Sequence, residues 1–386
     1  MKRSKPLPAL CALEEAANHT YNKELKAAKA RGEKIVGYLQ EEIPEEIFTA
    51  AGLIPVAVRG TDSEGTEFAE AYFRQLTCNY TRNTFNAVLE GKYDFLDGAV
   101  YSNHCDHARR IFDNWQTIPG NQMYHFVYVP KSVGVGTNSK DFFREELKKL
   151  IAATEKHFNV QITSEKLSAA IKLHNETRRL QQELYDLQKG EAVYLKGSEL
   201  MQVMLAANSM PRTRYNELLR ELIDQLKANG ETFTPAVRLI YTGGHADNTQ
   251  LFELLESQGG DIVADNCGFG SRTCATLVSE EGCPLEALVD YIISGKPAAT
   301  RIGGTQDARM ARVKDLVKEF KADGVISTRL TMCDLWAFEQ FMMRKNLEPA
   351  GIPLLELEVE YKLEGEGQIR TRVQAFVESI LAKKHQ

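Results

Sequence analysis

Asp97-Gly98-Ala99-Val100-Tyr101 runs through Ser102-Asn103-His104 into Cys105-Asp106, and Asp323-Gly324-Val325-Ile326-Ser327 runs likewise towards Cys333-Asp334. Each stretch reads as a short buried strand, a loop, a Cys-Asp pair and a helix, expected over Asp106–Trp115 and Asp334–Arg344. Working outward, similar Val- and Ile-rich runs alternate with long helix-period segments, the pattern of an α/β protein with parallel sheets. The expected strands are Ile54–Val58, Leu96–Ser102, His125–Val129, Val237–Tyr241, Asp261–Ala264, Val325–Ser327 and Pro353–Val359. Between the third and fourth, Ser139 to Gly230 carries almost no strand signal and reads as helix, with Pro211 and Gly230 as the clearest breakers. The expected fold is therefore α/β: two Rossmann-like parallel-sheet lobes, residues 1–138 and 235–386, joined by a helical connector over 139–234. Ligands of open α/β sheets bind beyond the carboxyl ends of the strands. Cys105 and Cys333 thus fall where a site between the lobes would form.

The whole chain has 386 residues, 43% hydrophobic and 26% charged, the balance of an ordinary globular protein large enough for two lobes. A formal charge of -6 argues against nucleic-acid binding, which requires surplus Lys and Arg for phosphates. A few local arginines would still serve an anionic ligand such as a coenzyme A thioester. No run approaches the length of a membrane span. The opening MKRSKPLPALCALEEAANHT meets Glu14 and Glu15 too soon for a secretory signal. Seven cysteines, an odd number, do not suggest a disulfide framework. They read as reduced, and the expected location is cytoplasmic.

No C-x2-C step of the ferredoxin kind is present, nor paired Cys/His steps of a zinc finger. A cysteine in an α/β protein is commonly a small buried hydrophobe. Three positions stand apart from that reading. Cys105 and Cys333 each open a helix, where the dipole and free N–H groups favour a thiolate or sulfide. Cys78 follows Thr77, a candidate N-cap, and so lies in the first turn of a helix expected over Cys78–Leu89. Three such thiolates would hold a cubane with one iron open. Cys267, in Asp265-Asn266-Cys267-Gly268 after a strand, is positioned as well as the others by geometry and is a reserve ligand or a lining residue. Cys11, Cys274 and Cys283 read as structural.

The segment Gly37-Tyr38-x5-Pro44-Glu45-Glu46-Ile47-x2-Ala50-Ala51-Gly52-x-Ile54-Pro55-Val56 resembles the opening signature of the 2-hydroxyacyl-CoA dehydratase / benzoyl-CoA reductase family. Cys78-x3-Arg82, Tyr93-Asp94-x-Leu96-Asp97-Gly98 and Ser102-Asn103-x-Cys105-Asp106-x2-Arg109-Arg110 continue it in order, and Cys333-Asp334 resembles its last cysteine motif. The resemblance implies a [4Fe-4S] cluster on Cys78, Cys105 and Cys333, between the lobes. The run Tyr101 to Arg110, with His104 and His107, is most similar to ATP-dependent benzoyl-CoA reductases, and the length to the smaller of their cluster-bearing subunits. That implies electrons from ferredoxin, ATPase subunits, a related cluster-bearing subunit as partner, and benzoyl-CoA or another acyl-CoA as substrate.

Other motifs add less. Val133-Gly134-Val135-Gly136-Thr137-Asn138-Ser139-Lys140 lacks the Gly before Lys of a phosphate loop and reads as a strand-to-helix loop with Ser139 as N-cap. Gly243-Gly244-His245 reads as a tight turn. ATP, if used, is therefore expected on partner subunits. His104, His107 and His245 fall near strand ends and are candidate proton donors. Arg109 and Arg110 are candidates for pairing with Asp106 and for facing thioester phosphates. Adding an electron to an aromatic ring sacrifices resonance, so the donor belongs at the low end of the cluster range, roughly -700 mV. The alternative chemistry is a dehydratase, in which the electron is recovered. A non-catalytic relay or scaffold is the alternative of another class.

Overall fold

The computed structural model describes residues 6–120, 122–133, 138–244, 247 and 249–384. Its strands form two four-stranded parallel sheets. In the first, β1 (Ile35–Tyr38), β2 (Ile54–Ala57), β3 (Gly98–Ser102) and β4 (Met123–Val127) take the order β2-β1-β3-β4. In the second, β5 (Val237–Gly243), β6 (Gly260–Asn266), β7 (Gly324–Leu330) and β8 (Leu354–Val359) take the order β6-β5-β7-β8. The strand order is the same in both, and the echo extends to hydrogen bonds. Asp97 accepts from Ile35 N at 2.9 Å while its own N–H donates to Ile35 O at 2.8 Å. Asp323 and Arg238 exchange the same two bonds, both at 2.7 Å. A carboxylate thus pins the start of each central strand pair, β1–β3 and β5–β7.

All seven expected strands are present; β1 is an eighth that the sequence pattern does not reveal. Its four residues, Ile35-Val36-Gly37-Tyr38, contain a glycine, which weakens a strand signal. The fold explains that glycine. A Cβ there would meet Leu96 Cδ1 at 2.6 Å and Val58 Cγ2 at 2.8 Å, so neighbouring chains close directly over it. Pro55 lies on β2, at the sheet edge, where a missing N–H costs no ladder bond.

The helices tie the lobes together. Ser139–Phe158 packs on β4, and Ser164–Asp186 on Glu45–Ala50 of the first lobe, whereas Gly197–Ala206 packs on β6 of the second. Pro8–Asn18, at the start of the chain, packs on Gly197–Ala206 and Arg212–Asn229. In return, Val278, Leu288 and Ile293 enter the core of the first lobe beside Val36, Phe48 and Leu147. No helix among the described residues is long and apolar enough to cross a membrane.

Candidate functional site

Cys78, Cys105 and Cys333 each occupy the N-cap of a helix: Asn79–Leu89, Asp106–Trp115 and Asp334–Leu347. The expected cap Thr77 is displaced by one residue, because Cys78 itself has the extended backbone of a cap, φ -61° and ψ 149°. The Cys105 helix buries Ala108, Ile111 and Trp115 against its lobe, which fixes its first turn above β3. Ala108 N–H donates to Cys105 Sγ at 3.3 Å, as a helix start would do for a sulfide or thiolate. Cys78 Sγ lies 3.4 Å from Thr81 Oγ1. Met332, immediately before Cys333, has φ 64°, a left-handed conformation costly for a non-glycine residue and common at functional sites.

The three thiols come from different stretches of chain yet line one cavity of about 310 Å³ between the lobes. Cys105 and Cys78 reach it from helix starts of the first lobe and Cys333 from one of the second, with Tyr80, Leu335 and Trp336 forming apolar wall. Burial pushes the thiol of Cys105 up to about 12, and the nearness of Cys78 and Cys333 adds to the rise. Burial likewise raises Cys333 to about 11, and raises Cys78. Three thiolates here repel one another unless a cationic group joins them. Among the described residues no three His, Cys, Asp or Glu side chains close on a single point as ligands of one bare ion do. Three cysteine sulfurs around one cavity are the type of donor that an iron–sulfur cluster takes.

His104 and His107 line the same cavity. His104 Nδ1 lies 2.8 Å from Glu42 Oε1, and the other Glu42 oxygen accepts from Ser102 Oγ at 3.4 Å. Burial works to raise the Glu42 carboxyl, but His104, Lys296 and Arg301 outweigh it and hold Glu42 well below the usual carboxylate range. His107 Nδ1 accepts from Cys78 N–H at 3.3 Å, linking the Cys78 and Cys105 helix starts. His245 lies outside the described residues, as do residues 134–137 of the Val133–Lys140 loop.

Arg109 and Arg110 are exposed on the Cys105 helix and do not line the cavity; Arg110 pairs with Asp113 at 3.1 Å, one turn on, rather than with Asp106. Ser139 is the first helical residue and Asn138 the cap. Gly244 serves close packing: a Cβ there would meet Trp336 Nε1 at 2.8 Å. Cys267 is fully buried outside the cavity lining, its N–H bonded to Asp265 Oδ1 at 2.9 Å. Burial, with the Asp265 carboxylate beside it, pushes that thiol far up.

Glu42, Lys131, Arg301 and Trp336 complete the site, and no sequence motif singles them out. Glu42 lies inside the Gly37–Pro44 signature at a position read as variable. Arg301 precedes Gly303-Gly304, a turn signal that marks a loop and not its destination.

Two parallel-sheet lobes with three helix-capping thiols around the cavity between them define an α/β protein with an inter-lobe cysteine site. A family model for the 2-hydroxyglutaryl-CoA dehydratase D-component matches residues 42–380, and the chain belongs to that family. It is 29% identical over 356 residues to the (R)-phenyllactyl-CoA dehydratase beta subunit of Clostridium sporogenes, covering 92% of this chain and 94% of that one. It is 25% identical over 380 residues to one of the benzoyl-CoA reductase subunits of Thauera aromatica, covering 96% of each. It is also 25% identical over 355 residues to the beta subunit of (R)-2-hydroxyglutaryl-CoA dehydratase from Acidaminococcus fermentans, covering 91% and 94%. Each relative is named as one subunit of a dehydratase or reductase for a CoA thioester.

Proposed function

We propose that this chain is an iron–sulfur subunit that passes single electrons to the acyl part of a CoA thioester, with Cys78, Cys105 and Cys333 holding a [4Fe-4S] cluster. The observation that carries the reading is the convergence of three helix-capping thiols on one inter-lobe cavity. Bound there, the cluster would supply a low-potential electron that no side chain can give.

The chain's own residues do the rest. The thiols release protons on loading, because a cationic iron core reverses the effect of burial and mutual repulsion. Tyr80, Leu335 and Trp336 limit water at the reacting centre. Glu42 holds the Nδ1 side of the His104 ring and orients it, so any proton His104 gives in the cavity passes through Nε2, and His104 is a candidate donor there. Arg109 and Arg110, exposed on the Cys105 helix, are proposed to meet the phosphates of the thioester.

The first reading of the reaction is ATP-dependent reduction of benzoyl-CoA to a cyclohexadienoyl-CoA, supported by the run Tyr101 to Arg110. Electrons would come from ferredoxin through ATPase subunits, and a related cluster-bearing subunit would complete the enzyme. A second reading, 2-hydroxyacyl-CoA dehydration, is favoured by the 29% identity to a dehydratase subunit. The test is electron stoichiometry in the complex purified without oxygen. The reductase consumes an electron pair and ATP for each product, whereas the dehydratase turns over many 2-hydroxyacyl-CoA molecules for each electron supplied. Turnover of neither substrate by the iron-loaded complex sinks both readings.

A further inference from the structure

Arg301 is the buried cation of the thiol cavity. Its side chain lines the void with Cys78, Cys105 and Cys333, and the residue is only 8% exposed. Its Nε and one terminal nitrogen are buried with no hydrogen-bond partner, and the other terminal nitrogen reaches Val129 O only at 3.5 Å. A guanidinium presents five donors and stays charged in proteins; Glu42 is near enough to act on it by charge, but its two unpartnered buried nitrogens still leave a cost that an anionic occupant would offset.

The loop that carries it is fixed from two sides. Ser132 and Gly303 form a parallel bridge, and Gly303 N–H donates to Lys131 O at 2.8 Å, stitching the loop to the chain after β4. On the other side Arg309 donates to Ile302 O at 3.2 Å while its remaining nitrogens make a buried bidentate pair with Glu339 at 2.8 and 2.9 Å. Glu339 belongs to the Asp334–Leu347 helix that Cys333 caps. Arg309 therefore ties the Arg301 loop to one of the thiol-bearing helices, and the backbone that carries Arg301 is held in place before anything binds.

We propose that Arg301 is the built-in counter-charge of the cluster in this cavity and sets its reduction potential; this rests on the cluster reading above. Reduction adds negative charge to a group already bearing thiolates. A fixed positive charge in a low-dielectric cavity favours the reduced form, and losing it lowers the potential. Lys131 lines the same cavity but is exposed, so solvent and salt screen it.

The test compares wild type, Arg301→Gln, Arg301→Lys and Lys131→Gln, coexpressed with the partner subunit and purified without oxygen. Iron and acid-labile sulfide are measured first, then the midpoint potential by a redox titration followed by electron paramagnetic resonance. The expected result is a potential clearly more negative in Arg301→Gln, near wild type in Arg301→Lys and little moved in Lys131→Gln. If folded Arg301→Gln fails to load iron while Arg301→Lys loads, the counter-charge is needed for assembly, which also supports the proposal. An unchanged potential in loaded Arg301→Gln overturns it, as does an equal fall in Arg301→Lys or in Lys131→Gln. Wild-type protein with neither iron nor sulfide refutes the cluster reading itself, a separate outcome.

Discussion

Replacing Arg178 by Met breaks a buried charge pair that holds the first lobe to the long helix Ser164–Asp186. Arg178 donates to Glu46 Oε1 at 2.6 Å and to Asn175 Oδ1 at 3.1 Å, and its guanidinium carbon lies 4.7 Å from the centre of the Tyr291 ring. The side chains of Arg178 and Glu46 are 11% and 3% exposed, so solvent cannot replace the lost partner. Burial pushes the Glu46 carboxyl up, but the Arg178 charge first, then His174, the Arg178 hydrogen bond and a backbone bond together outweigh it and bring the value down to about 2 from 4.5. That difference corresponds to at most about 3 kcal/mol of stability at neutral pH, where the His174 contribution is absent. The folded value is the depressed one, so the contribution is full above about pH 4.5 and is lost as pH falls through about 2. Stranding the carboxylate by removing its partner costs about 3–5 kcal/mol. At neutral pH His174 does not substitute for Arg178, since burial lowers its value to about 3 and leaves the ring neutral there. Thermal and urea unfolding of the full chain at pH 7 should therefore show a large loss in Arg178→Met. The loss should shrink towards pH 5, where the unpaired carboxyl takes up a proton, and in the double variant with Glu46→Gln, where no charge is stranded. A single variant within about 0.5 kcal/mol of wild type, typical of a surface change, would refute the reasoning. So would a double variant no more stable than the single.

Two further outcomes follow from packing. Gly37→Ala puts a methyl group against Leu96 and Val58 on the central strand β1, and should lower stability by about 1–3 kcal/mol in urea unfolding. Cys267→Ala removes a buried thiol outside the cavity; it should cost about 1 kcal/mol and leave iron and sulfide per chain unchanged. Loss of iron in that variant would instead make Cys267 a ligand.

What the sequence revealed and what it hid have physical reasons. Strands such as Val237–Gly243 and Gly324–Leu330 are buried almost throughout, and Val- and Ile-rich segments of that kind are legible in parallel sheets even with a polar residue or two among them. β1 escaped because Gly37 interrupts a run of only four residues. Cys105 and Cys333 were legible because a Cys-Asp pair after a strand reports a helix start at a sheet's carboxyl end, and Cys78 because Thr77 before it signals one. Arg301 and Lys131 arrive on loops, which have no period, and are brought together by one bridge between Ser132 and Gly303. The exchange of helices between lobes was equally hidden. Leu10 and Leu13, on the helix Pro8–Asn18, are apolar wherever they pack, and nothing local says that their core belongs to the second lobe. Glu42 was concealed by its neighbours, since in Glu41-Glu42 one carboxylate pairs with Arg272 and the other with His104.

The central claim is that Cys78, Cys105 and Cys333 hold one cluster. The most direct measurement is iron and acid-labile sulfide per chain, on protein coexpressed with its partner subunit and purified without oxygen. The wild-type chain is predicted to carry about four of each, as a cubane requires, and Cys105→Ala to lose them while remaining folded. Neither iron nor sulfide in the folded, partnered wild-type chain would contradict the account.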